Sequence, residues 1–174
     1  IGSDRDGNPN VTAAVSRKIA AKFSDHMLRT LAAETHRIAR NLTADAVTTP
    51  PSAELRNLWS SLMETSETLT ERPAGIWERE PHRAVLSAMA NRLDETVARN
   101  ADCLYRSADE FLADVRCVQR SLAQAGAVRS AYGPLQTLAW QVETFGFHLV
   151  EMEFRQHSLV HERALADIEA HGLQ

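Results

Sequence analysis

The sequence predicts a mainly α fold, a bundle of long helices with one or two short strands, and three observations predict it. Only seven glycines and six prolines occur in 174 residues, so long stretches run without a breaker. Along most of those stretches apolar residues recur at three- and four-residue steps. One stretch near the C-terminus, 147–154, switches to alternation of period two.

The first helix is expected from an N-cap at Thr12 to about Thr43, on the stripe Val15, Ile19, Phe23, Met27, Leu31, Ile38 and Leu42. Its length is unusual for a globular protein and suggests a large assembly. Thr48-Thr49-Pro50-Pro51 makes a stiff turn. Ser52 then caps a second helix through Leu55, Leu58, Trp59, Leu62 and Leu69. The segment 71–80, with Pro73 and Gly75, reads as a loop. Pro81 suits the first turn of a third helix, with the stripe Val85, Met89, Leu93 and Val97. Ser107 and Glu110 match a capping box for a fourth, with Phe111, Val115, Val118 and Leu122 inward and Gly126 as the stop. Pro134 opens a fifth through Leu135, Leu138, Val142 and Phe145, ended by Gly146. Phe147 to Phe154 is the expected strand. Ser158 is the expected cap of a last helix with Val160, Leu165 and Ile168, ended by Gly172. A lone strand is not stable. Its partners must be the stub Ile1 to Ser3 or strands outside this sequence. The sequence also opens at Ile1 directly into a polar motif, so an internal segment of a longer protein is expected.

Composition narrows the function classes. Hydrophobic residues at 44% and charged residues at 24% are ordinary for a globular protein with one core. A net charge of -4 argues against a general nucleic-acid binder. No apolar run is long enough for a bilayer-spanning helix, so no membrane partner is expected. Cys103 and Cys117 form no Cys-x-x-Cys pair and are expected to be buried small apolar residues in a reducing, cytoplasmic setting.

Two polar motifs carry the candidate chemistry. The first is Gly2-Ser3-Asp4-Arg5-Asp6-Gly7-Asn8-Pro9. An arginine between two aspartates is held by paired charges, and its planar fork can meet a carboxylate or phosphate at two points. The bland alternative is a surface turn with a local ion pair. The second is Glu153-Phe154-Arg155-Gln156-His157-Ser158, between the expected strand and the last helix. Functional groups gather at such strand ends in α/β barrels, and a helix N-terminus favours anions. Its alternative is an arginine paired with a neighbouring carboxylate. His157 and His161 share a helix face at a spacing that suits a metal, but no third ligand lies nearby, and a solvated face is expected. His26, His36, His82, His148 and His171 show no partner pattern, and Trp59, Trp77 and Trp140 read as core or subunit contacts.

At these motifs the sequence resembles the phosphoenolpyruvate carboxylase family. Ile1 to Thr12 is similar to that family's Gly-Gly-Asp-Arg-Asp-Gly-Asn-Pro-x-Val-Thr signature. Phe145-Gly146, Leu149, Glu153 to Ser158 and His161 resemble its Phe-Gly…Leu…Asp-Ile-Arg-Gln-Glu-Ser-x-x-His stretch. Glu80-Pro81-His82-Arg83 and Ser121-Leu122 with Gly126 fall between, in family order. The resemblance spans the whole chain. It implies an enzyme that joins phosphoenolpyruvate and bicarbonate into oxaloacetate and phosphate with Mg2+ or Mn2+. It also implies a large cytoplasmic homotetramer on an α/β barrel with many added helices. Residues 1–11 would be a barrel strand end and loop, 12–146 a helical insertion, and 147–174 a barrel strand and helix; the strands here would belong to an incomplete barrel. Arg5 would be the catalytic cation holding anionic reactants, with Asp4, Asp6 and Asn8 shaping its loop and Arg155 and Gln156 at a nearby strand mouth.

Ser3 stands for the family's second glycine, Glu153 for an aspartate and His157 for a glutamate. The last change reverses polarity beside Arg155, so the carry-over rests more firmly on Arg5. The family's catalytic histidine motif, glycine-rich arginine loop and metal carboxylates are not in this sequence. The segment alone is therefore expected to be inactive and to bind no metal, with the remainder of the same chain as its partner. Two rivals remain: a stand-alone helical interaction or sensory module, and a regulatory homologue without activity.

Overall fold

The computed structural model describes residues 10–65, 69, 76–151 and 157–172. Helices dominate, in the order α1 (Ala13–Asn41), α2 (Ala53–Thr65), α3 (Ile76–Arg79), α4 (Pro81–Ala98), α5 (Ala108–Gln124), α6 (Val128–Tyr132), α7 (Pro134–Phe145) and α8 (Ser158–His171). The chain forms two compact units. One is 24–149; the other takes its described residues from 10–23, 150–151 and 157–172.

The caps explain where the helices begin. Thr12 Oγ1 accepts from Val15 N at the start of α1, and Ser52 Oγ accepts from Leu55 N at the start of α2. Ser107 Oγ accepts from Glu110 N at 3.2 Å. The Glu110 carboxylate reaches back to Arg106 N rather than to Ser107 N, so the expected box closes one residue further upstream. Each satisfies a helix-start N–H that has no carbonyl within its own helix. The last helix starts differently from expectation: His157, not Ser158, is the cap, with Nδ1 accepting from Leu159 N.

In the 24–149 unit, α5 is central and packs against α2, α4, α6 and α7. Its stripe Phe111, Val115, Val118 and Leu122 is wholly buried, and each such side chain contributes roughly 1.5–3 kcal/mol. Val85, Met89 and Leu93 of α4, Leu55 and Leu62 of α2, Leu135 and Leu138 of α7, and Met27, Leu31 and Ile38 of α1 complete the core. Tyr105 meets the Phe111 ring edge-on at 5.2 Å, and Trp59 stacks on Trp77 at 5.0 Å. Trp140, expected in a contact, is 59% exposed. Both cysteines are buried and free, as expected.

Several expectations are corrected. The first helix stops at Asn41, because Asp45 organises a turn that accepts from Val47 N and Thr49 N. Along α1, Val15 is exposed rather than buried. The stretch 71–80 is not wholly loop, since Ile76–Arg79 is helical, and Val128–Tyr132 adds a turn of helix that was not anticipated. The strand over 147–154 is not seen in its described part, 147–151. Gly146 at φ 54 ends α7, Leu149 takes φ 68, and Leu149 N donates to Phe145 O at 2.9 Å, which makes a turn. The alternation is still real: Phe147 and Leu149 pack on the core while His148 and Val150 face out. A turn laid on a core can alternate in this way without being extended. The stub Ile1 to Ser3 and residues 152–154 lie outside the described residues.

Gly126, at φ 82, ends α5 as expected, with Ala127 N donating to Leu122 O. Gly133 is needed for space instead. A Cβ there would stand 2.8 Å from the Arg129 carbonyl oxygen, which is backbone and cannot swing away. Gly133→Ala should therefore cost about 1–3 kcal/mol in urea denaturation. An unchanged midpoint would show that the joint between α6 and α7 has room to spare.

Candidate functional site

Polar groups inside the 24–149 unit form three connected clusters. In the first, Ser121 on α5 accepts from Ser52 N at 3.0 Å and lies 2.8 Å from His82 Nε2 on α4. His82 and Ser121 are both fully buried. Among the described residues His82 Nδ1 has no partner. An unpaired lone pair is cheaper to bury than an unpaired N–H, so the favoured tautomer has Nε2–H donating to Ser121. An imidazolium would carry an unpaired Nδ1–H. Burial pushes the His82 pKa down to about 4. A serine beside a histidine is the pairing of an activated nucleophile, but neither side chain reaches solvent. This pair braces the starts of α2 and α4 against α5.

In the second cluster, Arg92 donates to the carbonyls of Cys103 and Leu104 and to Glu110. Its guanidinium lies 4.1 Å over the Tyr105 ring. The Tyr105 hydroxyl donates to Asp114 at 3.0 Å. Burial outweighs that donor and the nearby Arg92, and raises the Asp114 pKa to about 6. Burial also raises Tyr105 well above its ordinary value. In the third, Arg116 donates to Gln119, Gln136 and Glu143, and Gln119 donates to Ala131 O, which ties α5 to α6 and α7. The histidines without an evident pattern thus include three with side-chain partners: His82; His36, which lies 2.8 Å from Asp94; and His171, whose Nδ1 lies 3.2 Å from Asp167 O. An apolar run around position 82, Ala84-Val85-Leu86, was the available sign that His82 is buried.

The site residues expected from the sequence, Asp4, Arg5 and Asn8 with Asp6, and Arg155 with Gln156, lie outside the described residues. What is described is the helix that follows each motif. Asn10 leads within three residues to capped α1, and His157, next after Gln156, caps α8. The start of α1 and all of α8 belong to the same unit. His157 and His161 are exposed. Among the described residues no three His, Cys, Asp or Glu side chains come together to hold a metal ion, and no helix is long and apolar enough to cross a membrane.

The family model described as phosphoenolpyruvate carboxylase matches residues 1–173. The chain belongs to the phosphoenolpyruvate carboxylase family. It is 34% identical to the phosphoenolpyruvate carboxylase of Gloeobacter violaceus over 98% of this chain. It is 35% identical to that of Bradyrhizobium diazoefficiens and 36% identical to that of Nocardia farcinica, each over 97% of this chain. Those matches cover 20%, 18% and 19% of the relatives, so the chain spans about a fifth of their length. Within this carboxylase-family segment, the family-like residues Glu80 to Arg83 and Ser121 turn out to be one place: His82 meets Ser121, and Glu80 accepts from Arg83.

The His82 and Asp114 shifts act on stability with opposite signs. His82 is lowered from 6.5 to about 4, so between those values the unfolded chain holds more protons. Its contribution is complete above pH 6.5 and is lost as pH falls through 4. Asp114 is raised from 3.8 to about 6, so the folded chain holds more protons there, and its penalty is relieved on acidification. Each effect amounts to about 3 kcal/mol. As pH falls from 7 to 4, the deficit of His82→Gln relative to wild type should shrink by about 3 kcal/mol. Over the same range wild type should gain about 3 kcal/mol on Asp114→Asn. Denaturation curves that stay parallel across this window would contradict both assignments.

Proposed function

We propose that this chain is a working part of a phosphoenolpyruvate carboxylase, in which phosphoenolpyruvate and bicarbonate give oxaloacetate and phosphate. The observation that carries this reading is the run Gly2-Ser3-Asp4-Arg5-Asp6-Gly7-Asn8-Pro9, which lies inside a family match covering residues 1–173. Residues 1–11 and 147–174 are read as pieces of a barrel, and 12–146 as the helical insertion between them. The working protein is read as a cytoplasmic homotetramer.

Phosphoenolpyruvate, bicarbonate, carboxyphosphate and the enolate are all anions. A cation fixed in place stabilises charge as it develops on them, without reorganising at the moment of reaction. Arg5 takes that role, aligned by Asp4 and Asp6, with Asn8 shaping the loop. Arg155 and Gln156 supply further donors to the bound anion. A divalent cation, Mg2+ or Mn2+, would polarise the same oxygens when bound. Among the described residues no three His, Cys, Asp or Glu side chains come together, and its ligands are assigned to the remainder of the longer protein. The segment alone is accordingly inactive.

In the full-length protein, Arg5→Ala should lower turnover on the order of 10²-fold, the usual cost of removing one such donor, with the melting temperature unchanged. Steady-state kinetics on the folded variant measure this, and near-normal turnover would refute the assignment.

A further inference from the structure

We propose that the depression between the end of α1 and the start of α7 binds a small carboxylate with a short apolar body. Its volume is about 220 Å³, and its lining includes Ile38, Leu42, Leu135, Arg37, Asn41 and Arg129. Ile38 and Leu135 are buried and make an apolar floor, while Arg37, Asn41 and Arg129 are exposed at the rim.

The charges at the rim are unequal. Arg37 already donates to Glu34. Arg129 has no ion-pair or hydrogen-bond partner among the described residues. An adjoining open groove, which shares Arg37, adds Arg40, also without a carboxylate partner among the described residues. The one acidic residue lining that groove is Glu34, already taken by Arg37. One planar guanidinium is thus left uncompensated beside an apolar hollow. A guanidinium fork matches a carboxylate at two points. An inorganic anion would gain nothing from the floor of Ile38 and Leu135. The volume equals roughly seven waters at ~30 Å³ each, which suits a six-membered ring bearing one carboxylate and is small for a drug-sized ligand. This depression lies apart in sequence from both arginine motifs, and its occupancy does not depend on turnover.

The probe is benzoate, titrated into the full-length protein and followed by calorimetry or ligand-detected NMR, with benzyl alcohol and inorganic phosphate as comparators. Benzoate should saturate with a millimolar dissociation constant, benzyl alcohol should bind at least tenfold more weakly, and phosphate should not compete. Arg129→Ala, at an exposed position, should weaken benzoate at least tenfold and leave benzyl alcohol unchanged. The proposal is overturned if benzoate fails to saturate, as when another part of the long chain fills the hollow. It is equally overturned if phosphate displaces benzoate, or if Arg129→Ala binds benzoate as well as wild type does.

Discussion

The Ser121 hydroxyl joins three helices through one oxygen. It accepts from Ser52 N, where α2 begins, and meets His82 Nε2 in the first turn of α4, while Ser121 itself belongs to α5. Both side chains are sealed from solvent, so neither polar group can turn to water instead. Each of these hydrogen bonds is worth only about 1 kcal/mol net, but breaking one strands a buried polar atom at a cost of about 1–3 kcal/mol. That asymmetry adds a directional constraint on the register of α2 and α4 on α5. Leu55, Val85 and Leu122 are fully buried in the same core, and the Ser52–Ser121–His82 chain ties the starts of α2 and α4 to it.

The same logic explains which parts of the fold were legible. Signals that act within a few residues could be read directly: Thr12, Ser52 and Ser107 as caps, Pro81 and Pro134 as helix openers, Gly126 as a stop, and the apolar stripe of α5. What was missed depends on partners far along the chain. α4 ends at Arg99 in the left-handed region with φ 59, a conformation usually given to glycine, and no glycine marks the place. Arg92 absorbs the carbonyls of Cys103 and Leu104 in the loop that follows, which lets that loop turn without breakers of its own. Over its described part, 147–151, the expected strand is a turn for a related reason. Period two records only which side chains face inward, and Phe147 and Leu149 do so from a turn closed by Leu149 N on Phe145 O.

The candidate site divides in the same way. Arg5 and Arg155 were readable only as motifs, because nothing in helical periodicity marks a reactive arginine. His82 was passed over because a single histidine carries no spacing, and its partner Ser121 is 39 residues away. Only the geometry turns two scattered family-like positions into a single contact. It also shows that contact to be a brace, since a nucleophile must be reached by its substrate.

Charge bookkeeping within the 24–149 unit bears on where anions can be held. Arg29 pairs with Asp25, Arg37 with Glu34, Arg83 with Glu80, Arg92 with Glu110, Arg116 with Glu143 and Arg120 with Glu54. The exposed pairs among them, such as Arg29–Asp25 and Arg120–Glu54, add at most about 1 kcal/mol to stability. Their larger effect is on the field, because a guanidinium already facing a carboxylate presents little net charge to a third group. Those six arginines are suited to be scaffold and poorly suited to hold a multiply charged reactant. Cations that are to stabilise such a reactant must therefore come from arginines outside these pairs. Under the carboxylase reading those are the motif arginines, Arg5 and Arg155. Arg129, with no ion-pair partner among the described residues, stands beside an apolar hollow, as Arg40 does beside the adjoining groove, and it has charge to spare for a ligand of its own.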